Sequence, residues 1–149
     1  MTKDTGAAVV AVARGWIGTP YVHQAASRGC GTDCLGLLRG IWREIMGEEP
    51  ETVPAYTPDW GEPGGGEILL GAARRWLIEK PHVAAAPGDV LLFRMRAGAV
   101  AKHLGVAAQT GAAPSFIHAY SGHGVVESPL SAPWQRRIAA RFEFPKGAG

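Results

Sequence analysis

Disulfide scaffolding is the first thing missing: only Cys30 and Cys34 occur in 149 residues, too few to staple a fold of this length. Any importance of these thiols is therefore chemical. One-sided charge is missing too, with 15 Lys and Arg against 13 Asp and Glu and a formal net charge of +2. That balance excludes a basic groove for nucleic acid and an anionic-membrane patch as expected partners. No run approaches the roughly 18 apolar residues that a membrane span needs. There is no internal repeat either. What is plentiful is Gly and Pro, 21 and 11 residues, without a collagen period, which implies many tight turns. With 46% apolar and 19% charged positions the chain reads as one domain over residues 1–149, able to bury a real core.

The first 13 residues, with Lys3, a short Ala/Val run and Ala11-Val12-Ala13, imitate a secretory signal. They read instead as a helix. Asp4 interrupts the basic region, Leu and Phe are absent, and cleavage there would discard a helix that continues through Gly15-Trp16-Ile17. The expectation is synthesis in the cytoplasm without a signal peptide. This helix, capped by Asp4 or Thr5, runs to about Ile17 with Val9, Val10, Ala13, Trp16 and Ile17 inward, and Gly18 stops it.

A second helix follows an N-cap at Thr32 or Asp33, with Cys34, Leu37, Leu38, Ile41, Trp42, Ile45 and Met46 at three-four spacing and Gly47 at its end. Gly36 and Gly40 inside it each cost about 1 kcal/mol relative to Ala, which makes sense where another element passes close. Residues 48–66 carry four prolines and Gly64-Gly65-Gly66, a long irregular connection that reads as a lid, a docking loop in which Tyr56 and Trp60 would make the contacts, or a plain surface loop. A third helix is predicted from about Glu67 to Glu79, with Leu69, Ala72, Ala73, Trp76 and Leu77 inward, stopped by Pro81. After Pro87-Gly88-Asp89 the period changes to that of strands: Val90–Arg96, His103–Ala108, Ser115–Tyr120, Val125–Glu127, and a last one with Ile138, Phe142 and Phe144 alternating. Residues 145–149 read as a frayed tail. Helices first and sheet second define an α+β class.

Cys34 falls in the first turn of its helix, where unpaired N–H groups and the helix dipole favour a thiolate. It is equally in phase with the apolar stripe, so a packed core thiol fits the same position. His103 opens one predicted strand and His118 lies in the next. If the two strands pair antiparallel, an odd sum of paired residue numbers, near 221 or 223, puts both imidazoles on one face. A thiol with two imidazoles then supplies nucleophile, general base and orienter. The same donors, with Cys30 and His123, are a zinc ligand class, but the Cys-x-x-x-Cys spacing is not that of a structural zinc site, so no metal is expected. Four-residue spacing also lets Cys30 and Cys34 approach for a reversible disulfide.

Gly18-Thr19-Pro20-Tyr21, Thr32-Asp33-Cys34-Leu35-Gly36-Leu37, Lys102-His103-Leu104-Gly105-Val106 and Phe116-Ile117-His118-Ala119 resemble, in this order, the motifs of the NlpC-type cell-wall cysteine peptidases. The resemblance spans about Thr5 to Phe144, and Arg28 to Glu44 resembles more narrowly the phage-tail subgroup, gene transfer agents included. It implies a papain-like NlpC fold, N-terminal helices packed on a C-terminal antiparallel β-sheet. It implies Cys34 as nucleophile, His103 as proton carrier and His118 as its orienter. Tyr21 would line the site near the developing oxyanion, and Asp33 would help receive the amine of a stem peptide or act simply as an N-cap. Relatives carry Ser where this chain has Leu35, so amine recognition by that hydroxyl does not transfer. His23 is left with at most a subsite contact. The implied activity needs no cofactor: hydrolysis of a peptide bond in the peptidoglycan stem peptide. The implied partners are that stem peptide and the tail or baseplate proteins of a phage-like particle that carries the enzyme to the periplasm or wall. The competing readings are a catalytically silent tail component of the same fold and an amidase or acyltransferase with the same Cys-His chemistry.

Overall fold

The computed structural model describes residues 5–50, 68–95 and 101–145. Most of the connection 48–66, Arg96 and residues 146–149 of the tail lie outside them. Helix α1 spans Thr5–Gly15 and buries Val9, Val10 and Ala13. It ends before Ile17, because Trp16 and Ile17 turn their N–H groups back to Ala13 and Arg14 in a tighter bend. Ile17 consequently points outward, 45% exposed, where the helical period put it inside, while Trp16 stays buried. Gly18 follows with φ +94°, the left-handed stop that only glycine adopts without strain.

Strands β1 (Ala26–Ser27) and β2 (Gly31–Thr32) form a small hairpin that the sequence reading lacked. Helix α2 spans Cys34–Ile45, and Asp33 caps it by accepting from the Gly36 N–H. Both helical glycines mark close approaches. A Cβ at Gly36 would collide with the Ala25 carbonyl, and one at Gly40 with the Trp16 indole. Trp16 donates from its indole to Glu44 at 2.8 Å, locking α1 onto α2.

Helix α3 spans Ile68–Trp76, three residues short of the expected Glu79. Ile78–Lys80 is instead strand β3, paired with the last strand, and Trp76 is left exposed rather than inward. The open edge of the sheet explains the difference, since pairing satisfies backbone groups that helix propensity alone would not. Lys80 on β3 reaches the buried Asp89 at 2.6 Å, and Arg141 reaches the same carboxylate at 2.7 Å.

The sheet continues with β4 (Val90–Phe93), β5 (His103–Gln109), β6 (Ser115–Tyr120), β7 (Gly124–Pro129) and β8 (Ile138–Glu143). A short helix, α4 (Ala132–Arg136), precedes β8. Strand order is β3-β8-β4-β5-β6-β7, antiparallel throughout. One face carries Leu92, Leu104, Val106, Ile117, Ala119 and Phe142 and packs against α1, α2 and α3. The opposite face carries Leu91, Phe93, Ala107, Phe116 and Leu130, with Trp134 of α4. Simple alternation placed Ile138 beside Phe142 and Phe144. A shift of register between Leu92 and Phe93 inserts one extra residue in β8, which sends Ile138 to the opposite face. Among the described residues no helix is long and apolar enough to cross a membrane.

Candidate active site

Cys34 is the first residue of α2, held there because Asp33 spends its carboxylate on the cap: Oδ1 accepts from Gly36 N and Oδ2 from Gln24 N, both at 2.7 Å. The sulfur packs with the helix-covered face and donates to the Lys102 carbonyl at 3.7 Å. Position at a helix N-terminus led to the expectation of a depressed thiol pKa. The structure reverses it. Burial first, and then the charge of Asp33, push the thiol up to about 12, although the N–H groups of Leu104, Leu35 and Cys34 pull the other way. The resting sulfur is a neutral thiol.

Strands β5 and β6 pair at Val106 with Ile117 and Ala107 with Phe116, a constant sum of 223. The sum is odd, so His103 and His118 share a face as diagonal neighbours. His103 Nε2 lies 2.8 Å from His118 Nδ1, the rings edge to face. Nδ1 of His103 has no hydrogen-bond partner among the described residues. Phe93, Phe116, Trp134 and Tyr120 wall the two rings in. Burial lowers His103 to about 3, aided by His118, and lowers His118 to about 4, aided by His123. Both imidazoles are neutral at physiological pH.

The nucleophile candidate packs with one side of the sheet and the imidazoles with the other. They meet at the rim where β5 begins and β6 ends. There a cleft of about 150 Å³ is lined by Tyr21, His23, Asp33, Cys34, Lys102 and His103, among others. No hydrogen bond joins Cys34 to His103; the thiol must swing from the Lys102 carbonyl to reach the imidazole. Tyr21 is bridged to Thr32 and faces the cleft, and burial, Cys34 and Asp33 raise its phenol to about 12, so it keeps its proton as a donor. Asp33 reaches the cleft, but both of its oxygens hold backbone N–H groups, and its Oδ2 lies 3.7 Å from His23 Nδ1. Leu35 lies between this cleft and an apolar groove along α2 and α3. Cys30 is exposed on the β1–β2 hairpin; both cysteines are free thiols. Among the described residues no three His, Cys, Asp or Glu converge as a metal site would need.

Two residues of the site went unread. Ser128 Oγ lies 3.0 Å from His118 Nε2, and Trp134 covers both imidazoles. The strand expected over Val125–Glu127 stops one residue short of Ser128. Extended by that residue, the register of β6 on β7, a sum of 244, places even-numbered residues of both strands on one face and makes Ser128 legible. Trp134 carried no local signal.

Solved structures of NlpC/P60 family proteins superpose on this chain. A protein from Staphylococcus aureus Mu50 described as similar to a lipoprotein of the NLP/P60 family gives a TM-score of 0.62 at 20% identity, over 97% of this chain. An NlpC/P60 family protein from Bacillus cereus ATCC 10987 gives 0.66 at 18% identity, again over 97%. The chain spans only 43% and 41% of the length of those two proteins. No family model matches the sequence. No curated protein matches it either. The fold is thus that of NlpC/P60 proteins, helices on an antiparallel sheet.

Proposed function

We propose that the chain is an NlpC/P60-type cysteine peptidase that hydrolyses a peptide bond in the stem peptide of bacterial peptidoglycan. The observation that carries this reading is the meeting of Cys34 and His103 in one cleft from opposite sides of the sheet, with His118 hydrogen-bonded behind His103. In the proposed reaction the Cys34 thiol gives its proton to His103 Nδ1 as the sulfur attacks the scissile carbonyl carbon. The oxyanion is met by N–H groups at the start of α2 and by the Tyr21 hydroxyl. His103 then protonates the leaving amine, and the thioester remains on Cys34. A water gives its proton to His103 and attacks the thioester, releasing the acid and restoring the thiol. His118 holds the His103 ring throughout. Asp33 acts first as the cap that aims Cys34, and Leu35 offers an apolar wall where relatives offer a hydroxyl, so a stem amine would be read differently. Resemblance of Arg28 to Glu44 to the phage-tail subgroup supports carriage on a phage-like particle from the cytoplasm to the wall, with tail or baseplate proteins as partners.

Mass analysis of purified muropeptides after incubation with the protein tests the reading. The expected product gains one water at a stem peptide bond, and Cys34→Ala lowers release by at least about a thousandfold, the usual cost of losing a nucleophile. Release by Cys34→Ala at the parental rate would overturn the assignment. Transfer to an amine rather than water would favour an acyltransferase, and no product at all a structural tail component.

A further inference from the structure

We propose that Ser128 is a positioning residue of this site, selecting the tautomer in which His103 can accept the thiol proton. The inference rests on the catalytic reading above and extends it to β7. Hydrogen bonds run in one line from Ser128 Oγ to His118 Nε2 at 3.0 Å and from His118 Nδ1 to His103 Nε2 at 2.8 Å. His103 Nδ1 ends the line without a partner among the described residues, and His103 lines the cleft that holds Cys34.

A neutral imidazole has one N–H and one lone pair, so a line of two rings has only two consistent arrangements. In the first, each ring carries its proton on Nε2. His103 donates to His118, His118 donates to Ser128, and His103 Nδ1 presents a lone pair to the cleft. In the second, each ring carries its proton on Nδ1, and His103 aims an N–H at the cleft, useless as a base. The depressed affinity of both rings for a second proton keeps them in these neutral forms at physiological pH.

Ser128 biases the choice. Its hydroxyl receives the His118 N–H in the first arrangement, and Ser128 borders an open second cleft with Gln109, Ser131 and Gln135, where its own proton can go to solvent. Without the hydroxyl, the first arrangement leaves a nearly buried N–H unpaired, whereas the second leaves only a bare lone pair, the less costly orphan. The same contact spreads the charge formed on His103 when it takes the thiol proton, through His118 toward that second cleft. Ser128 itself is only partly buried, so its replacement removes a hydrogen bond without opening the core.

Long-range proton–nitrogen spectra of protein labelled with nitrogen-15 in histidine, recorded near neutral pH, read the tautomers directly. The parent is expected to show N–H character at Nε2 of both rings. Ser128→Ala is expected to move both toward Nδ1–H and to lower kcat on stem peptide by about 10- to 100-fold with KM little changed, the usual penalty of one orphaned donor. Ser128→Thr, which keeps the hydroxyl, is expected to restore both. Parental tautomers in Ser128→Ala, Nδ1–H in the parent, or a tautomer shift without a loss of kcat in an active enzyme would each overturn the inference. If the parent cleaves no stem peptide, the proposed function fails by that result. The spectra, with the rate of Cys34 alkylation by iodoacetamide in parent and variants, still decide whether Ser128 sets the tautomer.

Discussion

The two sides of the six-stranded sheet are made by the same strands and do opposite work. Toward the helices, Leu104, Val106, Ile117 and Phe142 are apolar without exception and buried under α1, α2 and α3. On the other side, Phe93, Phe116 and Trp134 form an aromatic box around two imidazoles, with polar groups only at its margin. One side needs only to exclude water. The other excludes water in order to keep two titratable rings uncharged. The difference teaches that dryness serves stability on the first side and protonation state on the second. Their junction, the rim at Lys102-His103, is where a thiol from the first and an imidazole from the second line one cleft.

The contrast breaks most readily on the helix-covered side. Ile117→Ala removes a fully buried side chain there and is expected to cost about 2–5 kcal/mol in urea unfolding, while folded molecules keep their turnover. A cost below about 1 kcal/mol would mean that this side is not the structural one.

Thiol reactivity sharpens the contrast at the rim. A thiol raised to about 12 is expected to be alkylated by iodoacetamide at a rate that climbs about tenfold per pH unit from pH 7 to 9. A rate already flat from pH 5 upward would reveal a standing thiolate–imidazolium pair and overturn the neutral resting state.

The imidazoles carry the contrast into pH. Unfolded, both titrate near the ordinary imidazole value of 6.5; folded, His103 titrates at about 3 and His118 at about 4. Above pH 6.5 neither state binds the protons and there is no penalty. As pH falls below 6.5, the unfolded chain takes up protons that the native one refuses, so stability is lost progressively until the folded values are reached. Thermal melting is expected to drop by on the order of 10 °C between pH 6.5 and 4, and less steeply in His118→Gln. An equal drop in that variant would assign the acid sensitivity to other groups.

Much of this was legible from local pattern. The three-four spacing after Asp33 located α2 and put Cys34 in its first turn, while the register that decides whether the two imidazoles share a face was left open until the strands paired. Gly36 and Gly40 announced the close approach of the β1 segment and Trp16. Illegible were the features that depend on partners far along the chain. Ile78–Lys80 became a strand because β8 lay open beside it, and Ile138 changed sides because of one extra residue opposite Leu92 and Phe93. The thiol's charge state was misread from the helix end alone, since the surrounding burial outweighs the dipole.

Periodicity, caps and turn residues act over a few neighbouring positions, so they determined unaided the helix that starts at Cys34, most strands from Val90 onward and the faces of most side chains on them. Whether Cys34, His103, His118 and Ser128 share one neighbourhood, and whether that neighbourhood is dry enough to hold them neutral, was decided only when the sheet assembled. Desolvation is a property of everything packed around a group, most of it remote in the chain.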